Sequence, residues 1–217
     1  MSIWADYGYT GMVWGLWLCA VTVPLLGVAQ LIFRNRLRSY WLLVCATLTI
    51  YTTGVISFTM LPLQAPEDFV CSSNPVRTTP FHSVVSLMQT TEGYTLTQFL
   101  TSDSFLQIFF NILLFVPLGF LARAVFKRGL FTSTLIAFSV SFAIELTQLT
   151  GLWGYYPCAY RIFDVDDLIT NTLGGLIGAT IALVWIALRP RDEKPLPWGS
   201  GARPRSSAED DPAEEAH

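Results

Sequence analysis

Seven polar residues stand among apolar neighbours in the C-terminal half of the chain: Asn111, Glu145, Gln148, Arg161, Asp164, Asp167 and Asn171. Glu145 and Asp167 are the groups that could serve as general acid or base. Arg161 could pair with a phosphate or carboxylate. Asn111, Gln148, Asp164 and Asn171 could hydrogen-bond a bound molecule. Glu145 and Gln148 are three residues apart and Asp167 and Asn171 four apart, so each pair shares one helical face. An acid at the centre of a membrane helix costs on the order of 2.5–3.5 kcal/mol, which makes such a group a functional candidate by default. The competing account is interhelical glue with one salt bridge from Arg161 to Asp164, Asp167 or Glu145. Such contacts average below about 1 kcal/mol, so stability alone does not require seven polar groups in one layer.

Other chemistries find less support. Asp164, Asp166 and Asp167 could hold a divalent ion through carboxylate oxygens, but acids at a helix start are also accounted for by the helix dipole. No metal site is predicted, and the sequence leaves any cofactor unspecified. There is no Ser-His-Asp arrangement and no His-rich zinc motif; His82, beside Pro80 and Phe81, reads as a loop histidine, and His217 belongs to the tail.

The elements that must position these residues are membrane helices. Of the 217 residues, 52% are hydrophobic and only 13% charged, the reverse of a soluble domain's balance. About 20 apolar helical residues cross the hydrocarbon core. Runs of that kind occur at 12–33, 40–61, 105–122, 130–149 and 168–188. The expected fold is all-α, a polytopic bundle of five transmembrane helices. Met1-Ser2-Ile3-Trp4-Ala5-Asp6 lacks a positive leader, so a cleaved signal peptide is a poor account of the N-terminus. No basic face suited to nucleic acid exists.

Lys and Arg accumulate on the cytoplasmic side of membrane proteins. With the N-terminus outside, eleven of the thirteen bases fall inside: Arg34, Arg36, Arg38, Arg123, Lys127, Arg128, Arg189, Arg191, Lys194, Arg203 and Arg205. Only Arg77 and Arg161 then lie outside. This orientation, N-terminus out and C-terminus in, gathers all seven polar residues in the outer leaflet as an outward-open pocket. It divides the chain into an outer N-terminal segment 1–11, a bundle 12–188 that includes an outer loop 64–104, and a disordered cytoplasmic tail 189–217. Within the loop, Ser83–Met88 reads either as an interfacial helix or as irregular chain. Cys71 and Cys158 both fall outside, where oxidation is permitted, so a disulfide and two unrelated thiols are both open readings. Gly174, Gly178 and Ala182 form a small-residue stripe for close helix packing, and Pro117 should free a backbone carbonyl near position 113.

Three blocks then carry a resemblance: Asn111-Ile112-Leu113-Leu114-Phe115-Val116-Pro117-Leu118-Gly119, Glu145-Leu146-Thr147-Gln148, and Arg161 through Asp167 into Asn171-Thr172-Leu173-Gly174-Gly175. In this order they resemble the VanZ-like family of bacterial membrane proteins over about residues 40–188. The resemblance implies a multi-pass protein of the bacterial plasma membrane. Its founding member lowers sensitivity to teicoplanin-like glycopeptides, while the family is wider than resistance. Three classes of function follow. The first is a binding protein for membrane lipids, a lipid-linked cell-wall precursor or a glycopeptide. The second is an enzyme on a lipid or cell-wall substrate using Glu145 and Asp167. The third is a transporter, for which no charged residue in the inner half of any span supplies a route.

Overall fold

The computed structural model describes residues 3–61, 63 and 65–188. The expected tail 189–217 lies outside the described residues. Five helices are long and apolar enough to cross a membrane: Tyr9–Arg34, Ser39–Met60, Asp103–Ala124, Leu130–Leu149 and Val165–Ala187. They coincide with the five apolar runs, because a hydrocarbon solvent leaves a backbone no hydrogen-bond partner except its own helix. The first helix, α1 (Ile3–Arg34), begins well before the apolar run at residue 12.

α1 and α2 (Ser39–Met60) form an antiparallel hairpin. The turn begins at Asn35, whose φ of 50° caps α1 in the left-handed region, a conformation asparagine tolerates better than most residues. Small residues line the contact: a Cβ on Gly11 would approach Gly54 Cα to 3.1 Å, and one on Gly15 would approach Ile50 Cα to 3.1 Å. The hydroxyls of Thr22 and Thr49 meet across the hairpin at 3.3 Å.

The second unit comprises α5 (Asp103–Ala124), α6 (Leu130–Leu149) and α8 (Val165–Ala187). α5 and α8 run parallel and α6 antiparallel to both. Glycine makes this possible. A Cβ on Gly174 would strike the carbonyl oxygen of Ile112, one on Gly178 that of Val116, and one on Gly119 that of Gly175, while Gly175 faces the Cβ of Ala137 on α6. The backbones of α5 and α8 therefore touch directly, and the Ala137 methyl of α6 rests on Gly175, as small residues allow in membrane bundles. Pro117 lies inside α5, and nearby the Tyr51 hydroxyl of α2 donates to the Leu114 carbonyl at 2.9 Å, so the two units are joined beside the proline.

All connections longer than a tight turn lie at one end of the bundle, hereafter the loop face; the opposite end is the arginine face. The 64–104 region contains α3 (His82–Thr90) and α4 (Leu96–Leu100). Ser83–Met88 is thus helical. α4 starts with a capping box in which Thr95 and Gln98 satisfy each other's backbone amides. α7 (Gly151–Gly154) is a single turn through left-handed conformations at Gly151, Leu152, Trp153 and Gly154. The all-α expectation needs one addition: β1 (Val76–Arg77) pairs in parallel with β2 (Phe163–Asp164). Two residues show no periodicity, so sequence carried no signal for this ladder.

Candidate functional site at the loop face

The start of α8 organises the polar layer. Asp164 is its N-cap: the backbone is extended there, and the carboxylate accepts from the Asp166 amide at 3.0 Å, satisfying an amide with no partner inside the helix. The other Asp164 oxygen receives Arg77 Nη1 at 3.1 Å. Its backbone amide donates to Glu145 Oε2 at 3.0 Å. Glu145 thereby ties the last turns of α6 to the extended chain entering α8. Both acids are almost fully enclosed, Glu145 at 2% exposure and Asp164 at 4%.

Asp166 has a different task. Its two oxygens accept the backbone amides of Phe81 and Ser83, each at 2.6 Å. This clamps the first turn of α3, where Phe81 takes a left-handed φ of 62°. Bonds from backbone amides to a carboxylate are charge-assisted and short. Among the described residues no cluster of His, Cys, Asp and Glu suits a metal ion, since Asp164 and Asp166 turn to separate partners.

Gln148 and Arg161 serve the end of α2. The last carbonyls of a helix have no intrahelical partner, and here Gln148 Nε2 donates to Thr59 O at 2.7 Å, Tyr160 Oη to Met60 O at 3.1 Å, and Arg161 Nη2 to Leu61 O at 2.9 Å. The Gln148 carbonyl in turn accepts from the Tyr160 amide at 2.7 Å. Arg161 is exposed, with its guanidinium 5.9 Å from the centre of the Tyr160 ring. The salt bridge that the competing account placed on Arg161 is made by Arg77 instead, because the parallel ladder brings Arg77 directly beside Asp164.

Two amides meet the interior of the trio. Asn111 Nδ2 donates to Asp167 Oδ1 at 2.6 Å, and Gln107, one turn earlier on α5, lies beside the same carboxylate. Asn171 Nδ2 donates to Ser141 Oγ at 2.9 Å, while its Oδ1 is buried without a protein partner. Of the seven sequence-derived residues, Asn111 is thus bonded to Asp167 and Glu145 to the amide of Asp164, whereas Gln148, Arg161 and Asn171 bond Thr59, Leu61 and Ser141. Five of the layer's polar groups, Glu145, Gln148, Asp164, Asp166 and Asn171, are buried, whereas Asn111 and Asp167 are partly accessible. Sequence reasoning missed Arg77, Gln107 and Ser141, and it read Asp166 as an ion ligand or a dipole partner rather than as the clamp on α3. Ser141 had a usable signal, four residues before Glu145 on the same helical face.

A disulfide joins Cys71 to Cys158, with Cα atoms 5.9 Å apart. Together with the ladder, the Arg77–Asp164 pair and the Asp166 clamp, it draws the 65–83 region over the polar layer. An apolar cavity of about 280 Å³ opens beside the layer between α2 and α5, lined by Tyr51, Phe58, Phe110, Leu113, Leu114 and Pro117.

These features define a multi-pass membrane helix bundle with an acid-containing polar layer under a strapped extramembrane segment. The chain belongs to the VanZ/LLP1 family, which residues 48–186 match. Over 84 residues it is 30% identical to Protein VanZ of Enterococcus faecium, covering 38% of this chain and 48% of that protein. The match thus spans about half the length of that curated relative. No solved structure matches the chain.

Proposed function

We propose that the protein resides in the bacterial plasma membrane with its loop face outward, and that the Asn111–Asp167 end of the polar layer binds the head of an amphiphilic envelope ligand. Eligible ligands are a lipid headgroup, a lipid-linked cell-wall precursor or a glycopeptide. Orientation rests on the distribution of bases; labelling of a cysteine at Arg36 by an impermeant thiol reagent in intact cells would reverse it. One observation carries the binding reading. Asp164 and Asp166 are committed to backbone amides and Arg77, whereas partly accessible Asp167 faces neutral amides from Asn111 and Gln107 and, among the described residues, no cation. An amine or hydroxyl of a ligand would complete its shell. Exposed Arg161 supplies a guanidinium for phosphate or carboxylate. Phe110 lines the neighbouring 280 Å³ cavity one residue from Asn111, which supports an acyl chain beside the head.

The test is reconstitution of wild type with Asp167→Asn, Arg161→Lys and Glu145→Gln variants, followed by native mass spectrometry after exposure to lipid extract and by teicoplanin susceptibility of expressing cells. Asp167→Asn is expected to lower ligand retention about tenfold. Equal retention and equal susceptibility in all three folded variants would reduce the layer to structural glue. The enzyme reading rests on Glu145 lying within electrostatic reach of Asp167, a carboxylate pair suited to acid and base roles. Product formation abolished by Glu145→Gln, with binding intact, would favour it over binding alone.

A further inference from the structure

We propose a second ligand site at the opposite end of the molecule, on the arginine face, that holds one anionic phospholipid where α1 turns into α2. It lies N-terminal to the family-matched residues and shares no residue with the polar layer.

A cavity of about 430 Å³ is lined there by Leu26, Ala29, Gln30, Phe33, Arg34 and Trp41. Gln30 is 7% exposed. Its Oε1 accepts the Arg38 backbone amide at 2.7 Å, which fixes which end of the side-chain amide is oxygen. Nε2 is then left buried without a protein partner, a costly condition for a donor. Arg34 adds a guanidinium to the same cavity, and no carboxylate among the described residues pairs with it. Residues 7–66 contain three arginines, Arg34, Arg36 and Arg38, and no acid, so the local charge is uniformly positive.

These groups specify the ligand. A donor amide and a guanidinium together suit phosphate and ester oxygens, with the guanidinium able to bind phosphate through two parallel bonds. Leu26, Ala29 and Phe33 extend from them along the apolar part of α1, where an acyl chain would run. Trp41, near the start of α2, is the residue type that membrane proteins place at the headgroup boundary. A free inorganic anion would use the polar groups but leave the apolar wall uncovered.

The experiment uses the full-length protein, delipidated and then titrated in mixed micelles with phosphatidylglycerol or phosphatidylcholine. Native mass spectrometry counts the bound lipid, and a photoactivatable phosphatidylglycerol maps its position. Wild type should retain phosphatidylglycerol at least fivefold better than phosphatidylcholine and cross-link within residues 26–41. Arg34→Gln should lower that retention about tenfold, and Gln30→Leu severalfold. Arg34 lies exposed at a helix end, so its replacement reads out binding even where Gln30→Leu folds poorly. Equal retention of the two lipids, undiminished binding by folded Arg34→Gln, or displacement of the lipid by millimolar inorganic phosphate would overturn the proposal.

Discussion

Asn111 on α5 donates to Asp167 on α8 across 2.6 Å, joining at the loop face two helices whose backbones are already in contact deeper in the bundle. The pair is both an interhelical bond and the accessible end of the polar layer. Hydrogen bonds to a charged group contribute about 1.5–3 kcal/mol when formed within a protein, whereas bonds between membrane helices average about 0.6 kcal/mol. A double-mutant cycle with Asn111→Ala and Asp167→Ala, read by unfolding in mixed micelles, is expected to give a coupling of about 1–2 kcal/mol. Additive effects would remove the bond from the account of stability.

Close helix approach makes a separate prediction. Alanine at Gly178 or Gly119 places a methyl against a backbone carbonyl that cannot rotate away, so α5 and α8 must separate. Each variant should lose roughly 1–3 kcal/mol, the scale of overpacking in a well-packed core. Alanine at Gly54, where an added Cβ meets nothing within 4 Å, should be neutral or stabilising by up to about 1 kcal/mol through helix propensity. Thermal denaturation in detergent compares the three, and a Gly54→Ala loss as large as the others would contradict the contact geometry.

Asp166→Asn tests the clamp on α3. The asparagine has one carbonyl oxygen for two incoming amides and turns an amino group toward the other. Hydrogen exchange of residues 81–90 should rise by at least tenfold, while the five spans exchange as in wild type. Unchanged protection of α3 would show that the disulfide and ladder alone hold this segment.

The cysteines allow a direct count. In protein denatured without reductant, a maleimide of high mass should add to two thiols, Cys19 and Cys45, and after reduction to four. Four additions before reduction in protein isolated from the membrane would place Cys71 and Cys158 in the thiol state.

How much was legible differs by length scale. The five spans were evident because hydrocarbon imposes a run of about 20 apolar residues that few other structures need. The polar layer was legible because Glu145 with Gln148, and Asp167 with Asn171, repeat at helical spacing. The partners of those residues were not. Gln148 and Arg161 bond carbonyls of Thr59 and Leu61, 89 and 100 residues away, and any helix end offers the same carbonyls to any donor. Arg77 had no local pattern at all, since its place beside Asp164 depends on a ladder of two residues. Asp166 was recognisable as an acid at a helix start, but its use on Phe81 and Ser83 follows only from where α3 lands.

The strap over the polar layer also orders events during synthesis. Cys71 waits for Cys158, Arg77 for Asp164, and the amides of Phe81 and Ser83 for Asp166, separations of 83–87 residues in every case. No tether can close before the chain beyond α6, from Cys158 onward, has left the ribosome and reached the same side of the membrane as the segment that precedes α5. Closure of the strap is therefore a chemical record that the later helices were inserted the right way round.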